Sequence, residues 1–219
     1  MGNTDYKCII TGGTGEITEK KSRFIASVAP VSSEEEALAF IEEVRKANRT
    51  ARHNCYAYTL GVDPALTRFS DDGEPAGTAG RPMLDCLLNE ELHNTCVVVT
   101  RYFGGILLGT GGLVRAYTQA VKEGLAASGI ATKLYGRRVL VKTDYSALAK
   151  LQRIAFDRQI PILSTDYTEE VLTTLFLRPG EEQSFTEKLL DQTQGKAVIT
   201  PLEYCYYAEA NGTGKIFDK

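Results

Sequence analysis

Apolar and polar positions alternate over residues 8–11, 16–19 and 24–28, which predicts three short strands with turns at Gly12-Gly13 and around 20–22. Ser33 then reads as a helix N-cap, and Glu36 three residues later completes a capping box. Ala37, Phe40, Ile41, Val44 and Ala47 follow at helical spacing, so a helix of about four turns buries one side. Residues 55–60 and 66–69 predict a hairpin around the V-D-P-A sequence at 62–65. The stretch 70–82 is too rich in Gly and Pro for either element and reads as an ordered loop. Met83, Leu84, Leu87, Leu88 and Leu92 predict a short helix, 96–100 a buried strand, and 113–127 a helix with Leu113, Ala116, Tyr117, Ala120, Val121 and Leu125 inward.

A change of pattern at Gly136-Arg137-Arg138 marks a domain boundary. Beyond it come a strand (139–143), a helix (146–156), two strands (161–167 and 170–177), a helix (184–192) and a strand (197–207). That β-α-β-β-α-β order is the plan of a ferredoxin-like domain. Ser184 and Glu187 read as a second capping box, and Arg178-Pro179-Gly180 ends the hairpin. The class is therefore α+β, with domains at 1–134 and 137–208 and a flexible tail at 209–219.

With 25 Lys and Arg against 28 Asp and Glu, the chain carries a formal charge of −3. A general polyanion binder would show a basic excess, so any RNA contact has to be a local patch. The five cysteines (Cys8, Cys55, Cys86, Cys96, Cys205) are scattered with no C-x-x-C pair, which fits neither a disulfide framework nor a zinc site; they read as reduced, mostly buried thiols. The N-terminal residues lack a basic segment followed by an apolar one, and no apolar run approaches the roughly 18 residues needed to cross a bilayer. The expectation is a cytoplasmic protein with no membrane partner; the oligomeric state is not legible.

The chemistry concentrates in R-Y-F-G-G-I-L-L-G-T-G-G, residues 101–112, where five glycines (Gly104, Gly105, Gly109, Gly111, Gly112) and Arg101 crowd one strand-to-helix junction. Bare backbone N–H groups at a helix start form a natural anion site, and a guanidinium at a strand end can clamp phosphate or carboxylate. The competing structural reading is a tight turn, with Arg101 paired to Asp71, Asp72 or Glu74. Neither a P-loop nor a G-x-G-x-x-G string is present: Ala197 follows Gly195-Lys196, Ile216 follows Gly214-Lys215, and Val114 stands where a third glycine would be. No cofactor and no metal are expected. His53 can carry a proton near neutral pH, and the acidic loop Asp71, Asp72, Glu74 can hold a cation or act as a base, although its spacing fits turn formation and capping better. No G-x-S-x-G elbow supports a hydrolase. Tyr204 and Tyr206 fall on one face of the last strand by alternation; packing under helices is favoured over base stacking.

Four strings, K-S-R-F-I-A (21–26), R-H-N-C-Y-A-Y (52–58), D-D-G-E-P-A-G-T-A-G-R-P (71–82) and R-Y-F-G-G-I-L-L-G-T-G-G-L-V-R-A-Y (101–117), closely resemble the IMPACT/YigZ family. The resemblance implies a first domain like the second domain of a small-subunit ribosomal protein, and a second like the ferredoxin-like domains of elongation factor G. Both analogies imply RNA or the ribosome. Eukaryotic IMPACT proteins restrain the kinase that senses uncharged tRNA, but they do so with an added N-terminal interaction module that is not in these 219 residues. The expected function is thus a translation-associated regulator, not an enzyme. It would bind RNA or a ribosomal or translation-factor surface through a cleft of Arg52, His53, Arg81, Arg101, Arg115 and the junction glycines. Two alternatives stay open: an enzyme acting on a small phosphorylated or acidic metabolite at the same cleft, with His53 or Asp72 as acid or base, and a protein-interaction module, which would show an apolar or mixed patch there.

Overall fold

This computed structural model describes residues 3–62, 65–210 and 213–217. The chain is α+β and divides into two compact units, Tyr6–Thr132 and the chain from Lys133 onward together with Asn3–Asp5. The first unit holds β1 (Tyr6–Thr11), β2 (Gly13–Glu19), β3 (Ser22–Pro30), α1 (Glu34–Ala47), β4 (His53–Leu60), β5 (Leu66–Ser70), α2 (Gly80–Asn89), β6 (Leu92–His93), β7 (Thr95–Tyr102) and α3 (Thr110–Ala126). Its main sheet is antiparallel throughout in the order β2-β3-β7-β4-β5, while β1 pairs with β6 in parallel. Asp63 and Pro64, at the tip expected for the β4–β5 hairpin, lie outside the described residues.

Strand β7 explains the layering. Val97 and Val99 face one way, into a core with Phe24, Met83, Leu87 and Tyr117, and Cys96 and Val98 face the other, against Ala37, Ile41 and Val44 of α1. A strand covered on both faces must be apolar at every position, which is why 96–99 reads as an unbroken hydrophobic run. Each such side chain contributes roughly 1.5–3 kcal/mol on burial, and this fixes β7, and with it Arg101 at its end, in the centre of the sheet.

Helix starts show how local signals were used. Ser33 caps α1, its Oγ accepting from the Glu36 N–H at 3.2 Å, but the Glu36 carboxylate turns one residue further back and accepts from Ser32 N at 2.7 Å. Helix α2 begins at Gly80, earlier than its apolar periodicity alone places it, and Leu92 leaves it to start β6.

The second unit continues β8 (Gly129–Thr143), whose first residues belong to the first unit, and adds α4 (Tyr145–Asp157), β9 (Ile162–Tyr167), β10 (Val171–Leu177), α5 (Glu182–Thr193), β11 (Val198–Ala210) and β12 (Thr213–Phe217). The β-α-β-β-α-β order is present, with the strands antiparallel in the sequence β9-β10-β8-β11-β12. Val139, Val141, Leu175 and Leu177 form a core with Leu151, Ile154, Phe185 and Leu189 of the two helices.

Two local expectations fail in this unit. The Ser184–Glu187 capping box does not form: α5 starts at Glu182, and the Ser184 hydroxyl donates to the Glu181 carbonyl at 3.2 Å. The tail is not frayed over 213–217, because β12 pairs antiparallel with β11 and the Lys133 ammonium lies 4.0 Å from the Phe217 ring centroid. The signal overlooked was Asn211-Gly212 between two β-type runs, a strong hairpin marker; those two residues lie outside the described ones.

Candidate functional site

The register of the main sheet sets His53 of β4 directly opposite Arg101 of β7. Arg101 is nevertheless no free clamp. Its side chain is only 6% exposed, and Nη1 donates to Glu74 Oε1 at 2.6 Å, with Glu74 itself 3% exposed. The same carboxylate oxygen accepts from the Tyr117 hydroxyl at 2.9 Å, and the guanidinium carbon lies 5.3 Å from the Phe24 ring centroid and 5.5 Å from that of Phe103. Burial drives the Tyr117 hydroxyl far above the phenol range, and burial pushes the Cys55 thiol beside it up to about 12. The junction's strongest charge is therefore spent internally, in a pair that costs several kcal/mol if one partner is removed.

The other loop acids are equally engaged. Asp71 accepts from the backbone N–H groups of Gly77, Ala79 and Gly80 at 2.8–3.0 Å, so a carboxylate distant from the helix in sequence caps the N-terminus of α2. That bond set explains where the helix starts. Asp72, at φ 42°, accepts from Asn54 N at 2.6 Å and pairs with Arg45 at 3.0 Å. Its carbonyl oxygen lies 2.8 Å from His53 Nδ1; a carbonyl can only accept, so the proton sits on Nδ1 and Nε2 of the neutral ring is an acceptor. Among the described residues no group of His, Cys, Asp and Glu is arranged to hold a metal ion.

Above this ion-paired floor lies an open groove of about 400 Å³. Arg52, His53, Glu74, Arg101 and Gly109 line it, together with residues the sequence reading did not name as site residues: Pro75, Phe103, Leu107, Leu108, Thr110 and Leu113. Leu107 is 81% exposed, Phe103 and Ile106 each 43%. The glycines divide by role. Gly104 lets the chain pass against the β2–β3 turn, where a Cβ would overlap the Lys21 carbonyl, and its N–H donates to Ser22 Oγ at 3.1 Å. Gly105 (φ 83°) and Gly109 (φ 73°) take left-handed backbone in open space, and Gly111 and Gly112 sit in the first turn of α3.

Two of the expected arginines stand elsewhere. Arg81 pairs with Asp85 one turn along α2, and Arg115 lines a separate cavity of about 430 Å³ with Glu19 and Lys20. In the second unit Tyr204 and Tyr206 both meet Tyr135, at 5.4 and 5.6 Å between ring centroids, and Tyr206 is buried. All five cysteines are buried, and among the described residues no helix is long and apolar enough to cross a membrane.

The apolar rim could have been found in the sequence. Ile106-Leu107-Leu108 stands between Gly104-Gly105 and Gly109 with no helical or strand period around it, so the sequence assigns these side chains no core face, and of the three Leu108 alone packs against the core.

An α+β chain whose first unit carries this glycine junction matches the family model described as the Impact N-terminal domain over residues 20–125, and a second model, a domain of unknown function (DUF1949), over 141–196. The chain is 40% identical over 205 residues to the IMPACT family member YvyE of Bacillus subtilis, covering 94% of each chain. It is 38% identical to the IMPACT family member YigZ of Escherichia coli, covering 84% of this chain and 91% of that one. A crystal structure described as that of a hypothetical protein is 36% identical, with a TM-score of 0.59 over 91% of this chain and 98% of its own. The chain belongs to the IMPACT family.

Proposed function

We propose that this protein is a translation-associated regulator that acts by binding, and that it recognises a protein surface of the translation apparatus through the groove of its first unit. The translation setting is what the family resemblance implies; the choice of a protein surface over RNA rests on one observation. The groove's deep cation is already neutralised by Glu74, while its rim exposes Phe103 and Leu107. Phosphate recognition needs several free cations converging on one track, whereas protein recognition uses apolar anchors inside a polar rim. The metabolite-enzyme alternative has less to draw on, since Asp71, Asp72 and Glu74 all accept internal hydrogen bonds and only His53 Nε2 remains as a base.

Co-sedimentation of the purified protein with ribosomes, with and without added translation factors, tests this reading. Association is expected, and Leu107→Ser should weaken it at least tenfold with an unchanged melting temperature. No association by the wild-type protein in either mixture would sink the reading.

A further inference from the structure

The groove mouth is electropositive although the chain is acidic. Helix α3 runs 17 residues from Thr110 with no acid in its first turn and no side-chain cap at Gly109, so its dipole is uncompensated at the groove. The N–H groups of Thr110, Gly111 and Gly112 meet no acceptor among the described residues. Arg52 lines the same mouth, is exposed, and forms no ion pair among them. Beneath, the Arg101 side chain is 6% exposed and its buried Nε has no hydrogen-bond partner among the described residues. Glu74, the only acid lining the groove, is cancelled by Arg101.

These features ask for a particular occupant. We infer that the groove takes a partner-protein segment in which an aspartate or glutamate flanks a leucine-sized apolar side chain. The apolar side chain seats among Phe103, Leu107 and Leu113, and the carboxylate meets the first turn of α3 and Arg52. A volume of about 400 Å³, at the small end for ligand sites, admits one or two side chains and no folded element. One free guanidinium and one helix end match a single carboxylate, and are too few for a nucleic-acid backbone. The inference rests on the reading of the groove as a protein-binding site and specifies its partner.

The test uses the full chain and a labelled, acetylated and amidated hexapeptide alternating aspartate with leucine, followed by fluorescence polarisation. Its asparagine–leucine counterpart and an oligouridylate serve as comparisons. The aspartate peptide should bind at least tenfold more tightly than the asparagine peptide. Thr110→Asp puts the protein's own carboxylate on the α3 terminus, so it should weaken binding at least tenfold while leaving the melting temperature equal or higher. Equal binding of the two peptides, no peptide binding at roughly millimolar concentration, preference for the RNA, or an unaffected Thr110→Asp protein would each overturn it. In the co-sedimentation assay, loss with Leu107→Ser but not with Thr110→Asp would refute this inference and leave the groove's role standing. Indifference to both substitutions would refute the groove's role itself.

Discussion

Arg101 and Arg52 line one groove and carry one charge each, yet they occupy opposite physical situations. Arg101 is buried, ion-paired and close to two aromatic rings; Arg52 is exposed and without an ionic partner among the described residues. The floor of the junction is a buried hydrogen-bonded network of Ser22, Cys55, Glu74, Arg101 and Tyr117, while the rim from Phe103 to Thr110 leaves apolar side chains and backbone donors facing outward. Charge in a sequence is thus not the same as charge on offer. The residues with the strongest chemistry hold the scaffold, and the residues that look blandest present the surface.

Removing a member of the floor should be costly. Arg101→Ala leaves Glu74 buried and unpaired, and should cost about 3–5 kcal/mol in denaturant unfolding. A loss below about 1 kcal/mol would mean that water reaches the pair and that the floor is no different from the rim.

Alkali should strike the same network. The Cys55 thiol is held at about 12 in the folded chain against an ordinary 9.0, a raised pKa, so its contribution to stability is complete below pH 9 and is lost as pH rises toward 12. The decline should be on the order of a few kcal/mol by the top of that range, read as a falling melting temperature, with a shallower slope in Cys55→Ala. Equal slopes in the two proteins would place the titrating groups elsewhere.

The glycines separate the two regions on a smaller scale. Gly104→Ala drives a methyl into the Lys21 backbone and should cost about 1–3 kcal/mol or more. Gly105→Ala meets nothing within 4 Å and carries only its positive φ, for about 1 kcal/mol. A reversed order would contradict the close approach of the junction to the β2–β3 turn. Smallest of all, Leu107→Ser should shift stability by no more than about 0.5 kcal/mol while carrying the binding defect.

The legible parts of the fold were those written in short-range periodicity. The unbroken apolar run at 96–99 announced a strand covered on both faces, and Ser33 announced α1. The start of α2 was not legible, because its cap is Asp71, a residue brought to the helix terminus only by the folded loop. The Glu187 capping signal failed because the helix had already begun at Glu182. The site was half legible. Composition located the junction and offered Asp71, Asp72 and Glu74 as partners for Arg101, and one of them is the partner; no local pattern could say that it would be Glu74, 27 positions away. That pairing depends on the loop folding back over the strand end, and once it is made, the apolar side chains beside it become the groove's character.

The salt dependence of association with the translation apparatus tests this most directly. Recognition by the apolar rim with a single carboxylate contact predicts that affinity changes less than about tenfold between 50 and 200 mM monovalent salt, whereas binding through six or more phosphate contacts would lose about a thousandfold or more over that range. The smaller change is the predicted result; the larger would show that the groove's cations are free after all and that the partner is RNA.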